Sequence, residues 1–227
     1  EALCVHQFKE NKFNQNFFNL DKKLSDNTYY SSLLIPRLQV KLDETTKSVV
    51  TGKITRVTYN DLKLVQSELI RLENELNFSS ISFPDSSLLN PNTLTLAEIS
   101  EIKDFLSIIR NMLQEENRLI NREKDKIFEN LVLKYGGNDA VFSLKRTYHN
   151  NSLEDLVLGK NEIEKISTHG TKLIRKYNPA HFTPTSSIGR AHMFAPEKRL
   201  GSMKINTLWF NTMVLWMMSL IFYITLL

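Results

Sequence analysis

The sequence predicts a mainly α protein: a long antiparallel helical hairpin with a small β-hairpin, an extended connector and a C-terminal transmembrane helix. Three observations predict it. The last twenty residues carry no charge, the middle of the chain holds two heptad seams, and prolines and glycines break up the stretch between them. The expected organisation is an N-terminal helical and extended segment over 1–57, a helical hairpin module over 58–168, a basic juxtamembrane connector over 169–207 and a membrane helix over 208–227.

The terminal run, LWFNTMVLWMMSLIFYITLL from Leu208 to Leu227, contains no proline or glycine either. As a helix it measures about 30 Å, the hydrocarbon thickness of a bilayer. A core helix of a soluble protein is usually shorter and keeps one polar face, whereas this run is apolar all round. The chain opens on Glu1 without an initiator Met and closes inside the run. Both ends suit a piece of a longer polypeptide; a complete protein of this form would be tail-anchored.

The net charge of +4 is unevenly spread. Residues 165–207 hold eight basic side chains against the single acid Glu197, a local charge of +7, which leaves −3 on residues 1–164. A nucleic-acid-binding domain gathers its charge on a folded face with aromatic partners. Charge beside a membrane run instead suits anionic lipid head groups or a topology signal. One cysteine, Cys4, excludes an internal disulfide and a Cys-based zinc cluster.

In chain order, Leu3, Val5, Phe8, Phe13, Phe17, Phe18 and Leu20 recur at loosely helical spacing, and Ser25–Asp26–Asn27 reads as a break. Leu38, Val40 and Leu42 alternate with Arg37, Gln39, Lys41 and Asp43, which places the small β-hairpin within 37–57. Thr58 to Asp61 opens a helix with a Thr cap and Val57–Leu62 as its hydrophobic staple. Leu62, Val65, Leu69, Leu72 and Leu76 follow at spacings of 3 and 4, a heptad seam ending near Phe78. The connector SSISFPDSSLLNPN is a loop by composition, with Ile81, Phe83, Leu88 and Leu89 as candidates to tuck inward.

Thr95 and Glu98 form a capping box, stapled by Leu94 and Ile99. Ile99, Ile102, Leu106, Ile109 and Leu113 make the second seam, continued every seven residues by Ile120 and Ile127, with Glu116, Glu123 and Asn130 in the alternate slots. The helix runs about 40 residues, about 60 Å, to Gly136–Gly137. The seams read either as an intramolecular antiparallel pair or as a coiled coil recruiting a partner. Asn138–Asp139 starts a further helix, Asn150–Asn151 breaks it, Ser152 restarts one that Gly159 stops, and a turn of helix surrounds Ile163 and Ile166. Prolines 179, 184 and 196 with glycines 189 and 201 preclude a long helix over 171–207.

Catalytic motifs do not emerge: there is no Walker A loop, G-x-S-x-G elbow, H-E-x-x-H pair or Rossmann fingerprint. His6, His149, His169, His181 and His192 are scattered, and the His181/His192 pair reads as two loop histidines rather than metal ligands. Glu115–Glu116, and Asp61 with Glu68, read as acids on solvated helix faces. The expected site inventory is therefore empty: no catalytic, cofactor or metal residues.

One stretch resembles a known family. Ser187–Ile188–Gly189–Arg190–Ala191–His192, Phe194–Ala195–Pro196, Lys198, Gly201 and Thr207–Leu208–Trp209–Phe210–Asn211 resemble the approach to the last membrane helix of bacterial ABC-2-type transporters with ATP-binding and membrane domains on one chain. Tyr148 to Val157, YHNNSLEDLV, looks like the same family, so the resemblance covers about the last third of the chain. It implies an ATP-driven exporter of the cytoplasmic (inner) membrane, dimeric in its membrane part, with ATP and magnesium bound by residues before Glu1. Residues 1–207 would then connect the last two membrane helices on the extracytoplasmic side, in a structural or gating role. Lys198, Arg199 and Lys204 oppose that orientation by the positive-inside rule, but long connecting domains translocate largely regardless of charge. The alternative is a single-pass, tail-anchored coiled-coil tether or scaffold.

Overall fold

The computed structural model describes residues 1–76, 95–184 and 186–226. It is mainly helical, with two short antiparallel β-hairpins and one C-terminal apolar helix. The chain forms two compact units, each discontinuous in sequence: Glu1–Ser25 with Ile120–Ile163 and Lys176–Leu227, and Asp26–Leu119 with Glu164–Arg175.

The first unit begins with α1 (Ala2–Glu10), which buries Val5 and Phe8. Helix α2 (Phe18–Tyr29) contributes to both units. The expected break at Ser25–Asp26–Asn27 does not occur. Ser25 and Asn27 are buried; Ser25 accepts a hydrogen bond from Asn178 at 2.6 Å, and Asp26 accepts one from Arg175 at 2.7 Å. Partners distant in sequence thus satisfy polar groups that locally favour a turn.

A π turn over Tyr30–Leu34 leads into α3 (Ile35–Val50). The wide turn directly precedes Pro36, whose missing amide removes one ordinary i→i−4 bond. Helix α3 occupies the stretch expected to hold a β-hairpin. Leu34, Ile35, Leu38, Leu42 and Thr45 are all buried and follow the helical period, while Val40, which supplied the alternation, is exposed. Burial of one helical stripe outweighs the β preference of its Thr and Val residues.

Helix α4 (Arg56–Glu75) is capped by Thr55, not Thr58. Thr58 is the third residue of the box, and exposed Val57 provides no staple. Helix α5 spans Leu96–Tyr135 with its box intact: Glu98 accepts the Thr95 amide at 2.8 Å and donates its own to the Thr95 hydroxyl at 3.3 Å. The helix end near Phe78, the SSISFPDSSLLNPN connector and Leu94 lie outside the described residues.

The antiparallel helical hairpin of this fold is made by α3 and α4. Lys41 pairs with Asp61 at 3.3 Å, and Tyr30 bonds Glu75, so numbers rise in α4 as they fall towards the start of α3. On α5, Lys103 reaches Asp43 at 2.6 Å and Ser107 accepts from Gln39 at 3.1 Å. Helix α5 is therefore antiparallel to α3 and runs in the same direction as α4. The direct α4–α5 hairpin expected from the two seams is corrected accordingly. Chain length permits this, since the twenty residues between Glu75 and Leu96 can span at most about 70 Å. Seam residues Leu62, Val65, Leu69 and Leu72, with Ile99, Ile102, Leu106, Ile109 and Leu113, are buried within this unit.

Helices α6 (Asn138–Tyr148) and α7 (Asn151–Leu158) return to the first unit. The α7 cap is Asn150, whose side chain accepts the Leu153 amide at 3.0 Å. Two cores form here: Val5, Phe8, Phe18, Val157, Leu158 and Ala180 in one, and Phe17, Leu131 and Val141 in the other.

Strands β1 (Ile166–His169) and β2 (Lys172–Arg175) pair where a turn of helix was expected around Ile163 and Ile166. Strands β3 (Glu197–Leu200) and β4 (Met203–Asn206) pair within the expected extended connector. Each hairpin closes through a Gly at positive φ, Gly170 and Gly201 at 61°, in a two-residue turn that a side chain would strain. Helix α8 (Thr207–Leu226) follows β4 without a linker.

Candidate membrane junction

Helix α8 is the one helix among the described residues long and apolar enough to cross a membrane. Its apolar side chains face outward on all sides: Trp209 is 60% exposed and Trp216 76%. A core helix of a soluble protein would bury them. One candidate membrane span is therefore present, and membrane association through α8 is the coarse functional statement that the fold carries.

The root of this helix is built from several separate segments. Thr207, at the first position of α8, is buried; its amide donates to the Pro196 carbonyl at 3.1 Å and its hydroxyl to the Ala195 carbonyl at 2.6 Å. The first of these satisfies an amide that a helix start leaves without an intrahelical partner, and the second ties the side chain to the preceding loop. One turn on, Asn211 accepts from the Lys198 ammonium at 2.9 Å, and that ammonium lies 4.8 Å from the Phe210 ring centroid. Gly189 packs on the same ring: a Cβ added there would stand 2.5 Å from Phe210 Cζ, and its φ of 77° disfavours any side chain.

The loop before the hairpin is strained at one position. Phe194 adopts φ 63°, a conformation that costs a non-Gly residue about 1–2 kcal/mol. The strain turns its ring against the core of Val5, Phe8 and Phe18. Helix α1 also packs against α8, and Lys9 on α1 pairs with Glu197 on β3 at 3.4 Å. A small open hollow of about 230 Å³ lies between them, lined by Ala2, His192, Phe194, Lys198, Thr207 and Asn211.

No family model, curated protein or solved structure matches this chain. Its function must be read from its own residues.

The histidines sit in separate settings. His192 is half-buried, with Nε2 2.8 Å from the Pro179 carbonyl and its ring 5.1 Å from that of Phe182. Burial holds this imidazole below its usual range, opposed by the Pro179 carbonyl and reinforced by the Lys22 charge. His181 is buried edge-on to Phe18 at 5.3 Å. His149 lies 3.0 Å from the Glu154 carboxylate and 3.2 Å from Asn14 Oδ1. Among the described residues no group of three His, Cys, Asp or Glu side chains is arranged to hold a metal ion.

Among the acids, Glu115 and Glu116 are exposed, as expected, and Asp61 is partly buried against Lys41. Glu68 departs from expectation. It is 1% exposed, accepts the Leu173 amide at 2.7 Å and pairs with Arg71 at 3.0 Å. Arg71 also donates to the Leu173 carbonyl and to the Tyr29 hydroxyl, each at 3.0 Å. The Tyr29 ring is in turn 5.4 Å from the Arg175 guanidinium. Burial pushes the Glu68 carboxyl up, and the Leu173 amide and Arg71 oppose it without cancelling it. Glu68 and Arg71 of α4 hold both the amide and the carbonyl of Leu173, so the cluster acts as a clasp holding β2 to α4. The only sequence signal was position: Glu68 lies three after Val65 and four before Leu72, on the buried stripe.

Proposed function

We propose that this chain is the extra-membrane domain and last membrane helix of an ATP-driven exporter of the ABC-2 type, with a structural or gating role. Energy would come from an ATP-binding domain elsewhere on the same polypeptide, with ATP and magnesium held there. The observation carrying this reading is the root of α8. Among the residues that resemble that family, Gly189, Ala195, Pro196, Lys198, Thr207, Phe210 and Asn211 make mutual contacts that build the junction. The start of α1 against α8 further suits a domain held between two neighbouring membrane helices. The proposal places the soluble part outside the cytoplasmic membrane and makes the membrane part a homodimer.

Reading the coding frame upstream of Glu1 is the direct test. Earlier apolar spans and an ATP-binding domain with a Walker A loop are the expected result; a start codon immediately before Glu1 overturns the exporter reading in favour of a tail-anchored tether. For sidedness, exposed Gln114 is replaced by cysteine in a Cys4→Ser background and treated with a membrane-impermeant thiol reagent. Modification in intact cells after outer-membrane permeabilisation is expected, and modification only after lysis of the inner membrane would reverse the orientation.

A further inference from the structure

We infer that the β3–β4 hairpin is an interfacial anchor, whose tip enters the head-group layer beside α8 and contacts anionic lipid. The inference rests on the reading of α8 as a membrane span. Three observations carry it beyond the general basic character of this region.

The first is the facing of the strands. Leu200 is directly opposite Met203, and two residues back along each strand Lys198 is opposite Ile205. Alternate residues share a face of a β-ribbon, so these four lie on one side. Lys198 reaches Phe210 and Asn211 of α8 from that side. Leu200 and Met203 therefore continue the face turned to the membrane helix, yet they are 51% and 64% exposed. Ile188, bridged to Leu200, extends the apolar edge and is 71% exposed.

The second is depth. The Gly189 amide donates to the Arg199 carbonyl at 2.8 Å while Gly189 packs on the Phe210 ring, so the hairpin's outer half stands beside the first turn of α8. Neighbouring Trp209 is exposed, and exposed Trp at the end of a span belongs at the bilayer interface. The Leu200–Met203 pair thus stands at interface level.

The third is charge. Arg199 and Lys204 are cross-strand partners on the opposite face of the ribbon, and exposed Arg190 lies on the adjoining loop. Cations flanking a small exposed apolar tip suit lipid phosphates above an acyl boundary.

The test uses the full chain reconstituted into vesicles of phosphatidylcholine with or without 30% phosphatidylglycerol. Ser202, at the exposed tip, is changed to Cys in a Cys4→Ser background and labelled with an environment-sensitive fluorophore. The anchor predicts blue-shifted emission and at least two-fold quenching by lipid carrying a shallow doxyl group. Quenching should be stronger with phosphatidylglycerol and reduced at least two-fold by Arg199→Glu with Lys204→Glu. Native Trp209 and Trp216 report α8 independently through their own quenching by doxyl lipids. Quenched tryptophans with a water-like, unquenched tip refute the anchor alone, as does a blue-shifted tip that no doxyl lipid quenches, which indicates a protein contact. Unquenched tryptophans refute the span, and the anchor with it.

Discussion

The Glu68 carboxylate on α4 accepts the Leu173 backbone amide of β2 at 2.7 Å, across 105 positions of sequence. A buried carboxylate persists only where its lone pairs are satisfied and a cation is near, and Leu173 with Arg71 supply both. Glu68→Ala leaves that amide without its acceptor and takes from a partly exposed guanidinium one of several. The expected loss is about 2–3 kcal/mol, below the usual range for breaking a buried pair because water still reaches Arg71. Urea unfolding in detergent, followed by circular dichroism, measures it.

The same group sets a pH dependence. The carboxyl titrates near 4.5 when unfolded and higher when folded, chiefly because it is buried. Above 4.5 and up to its folded value, the native state keeps a proton that the unfolded chain releases. Glu68 therefore makes stability fall as pH rises through that window and level off beyond it. Glu68→Gln, which keeps an acceptor for Leu173, should flatten this part of the profile; a wild-type slope of the opposite sign, lost in the variant, would reverse the assignment.

Gly189→Ala should loosen the root of α8. The substitution meets both a positive φ and the Phe210 ring, with an expected cost of about 2–4 kcal/mol from backbone strain and overpacking together. Phe210→Ala in the same chain removes the clash but not the strain, so only part of the loss should return. Limited proteolysis near residues 187–206 and thermal unfolding read both effects. A double variant whose loss equals the sum of the two single losses would show that the ring does not bear on Gly189.

The direction of α5 can be fixed covalently. Gln39 and Ser107 face each other across α3 and α5 through a 3.1 Å hydrogen bond. Cysteines at both positions, in a Cys4→Ser background, should be joined by a short bis-thiol crosslinker, which spans the length of the Gln side chain as a disulfide does not, and run faster on a denaturing gel. Moving the second cysteine to exposed Ile108 should abolish the bridge. A bridge formed equally well at 108 would mean that α5 is not held in this register.

Much of the helical frame was legible because its signals are local. The Thr95–Glu98 box, the period of Ile99 to Leu113 and the stop at Gly136 act within one helix, and α5 begins and ends accordingly. Helix α3 was misread because Leu38, Val40 and Leu42 satisfy a two-residue period as well as Leu34, Ile35, Leu38 and Leu42 satisfy a helical one. Only the bundle decides between them. The two β-hairpins were hidden by their length, four residues per strand, although Gly170–Thr171 and Gly201–Ser202 are turn sequences of the right size. The position of Glu68 on the buried stripe hints at its burial, but its partner Leu173 lies beyond a long helix, so the amide that satisfies it is not visible in the sequence. At the junction, the contacts that tie Thr207 to Ala195 and Pro196 depend on how the preceding loop folds back, and no local pattern announces them.

Strand β4 hands over to α8 between Asn206 and Thr207 with no intervening residue, and Thr207 is itself tied to Ala195 and Pro196. The helix consequently lacks a swivel at its base. Any tilt or rotation of α8 must carry the ribbon and its supporting loop along as one lever arm, converting a small angular displacement of the helix into a sweep of the polar surface at its base.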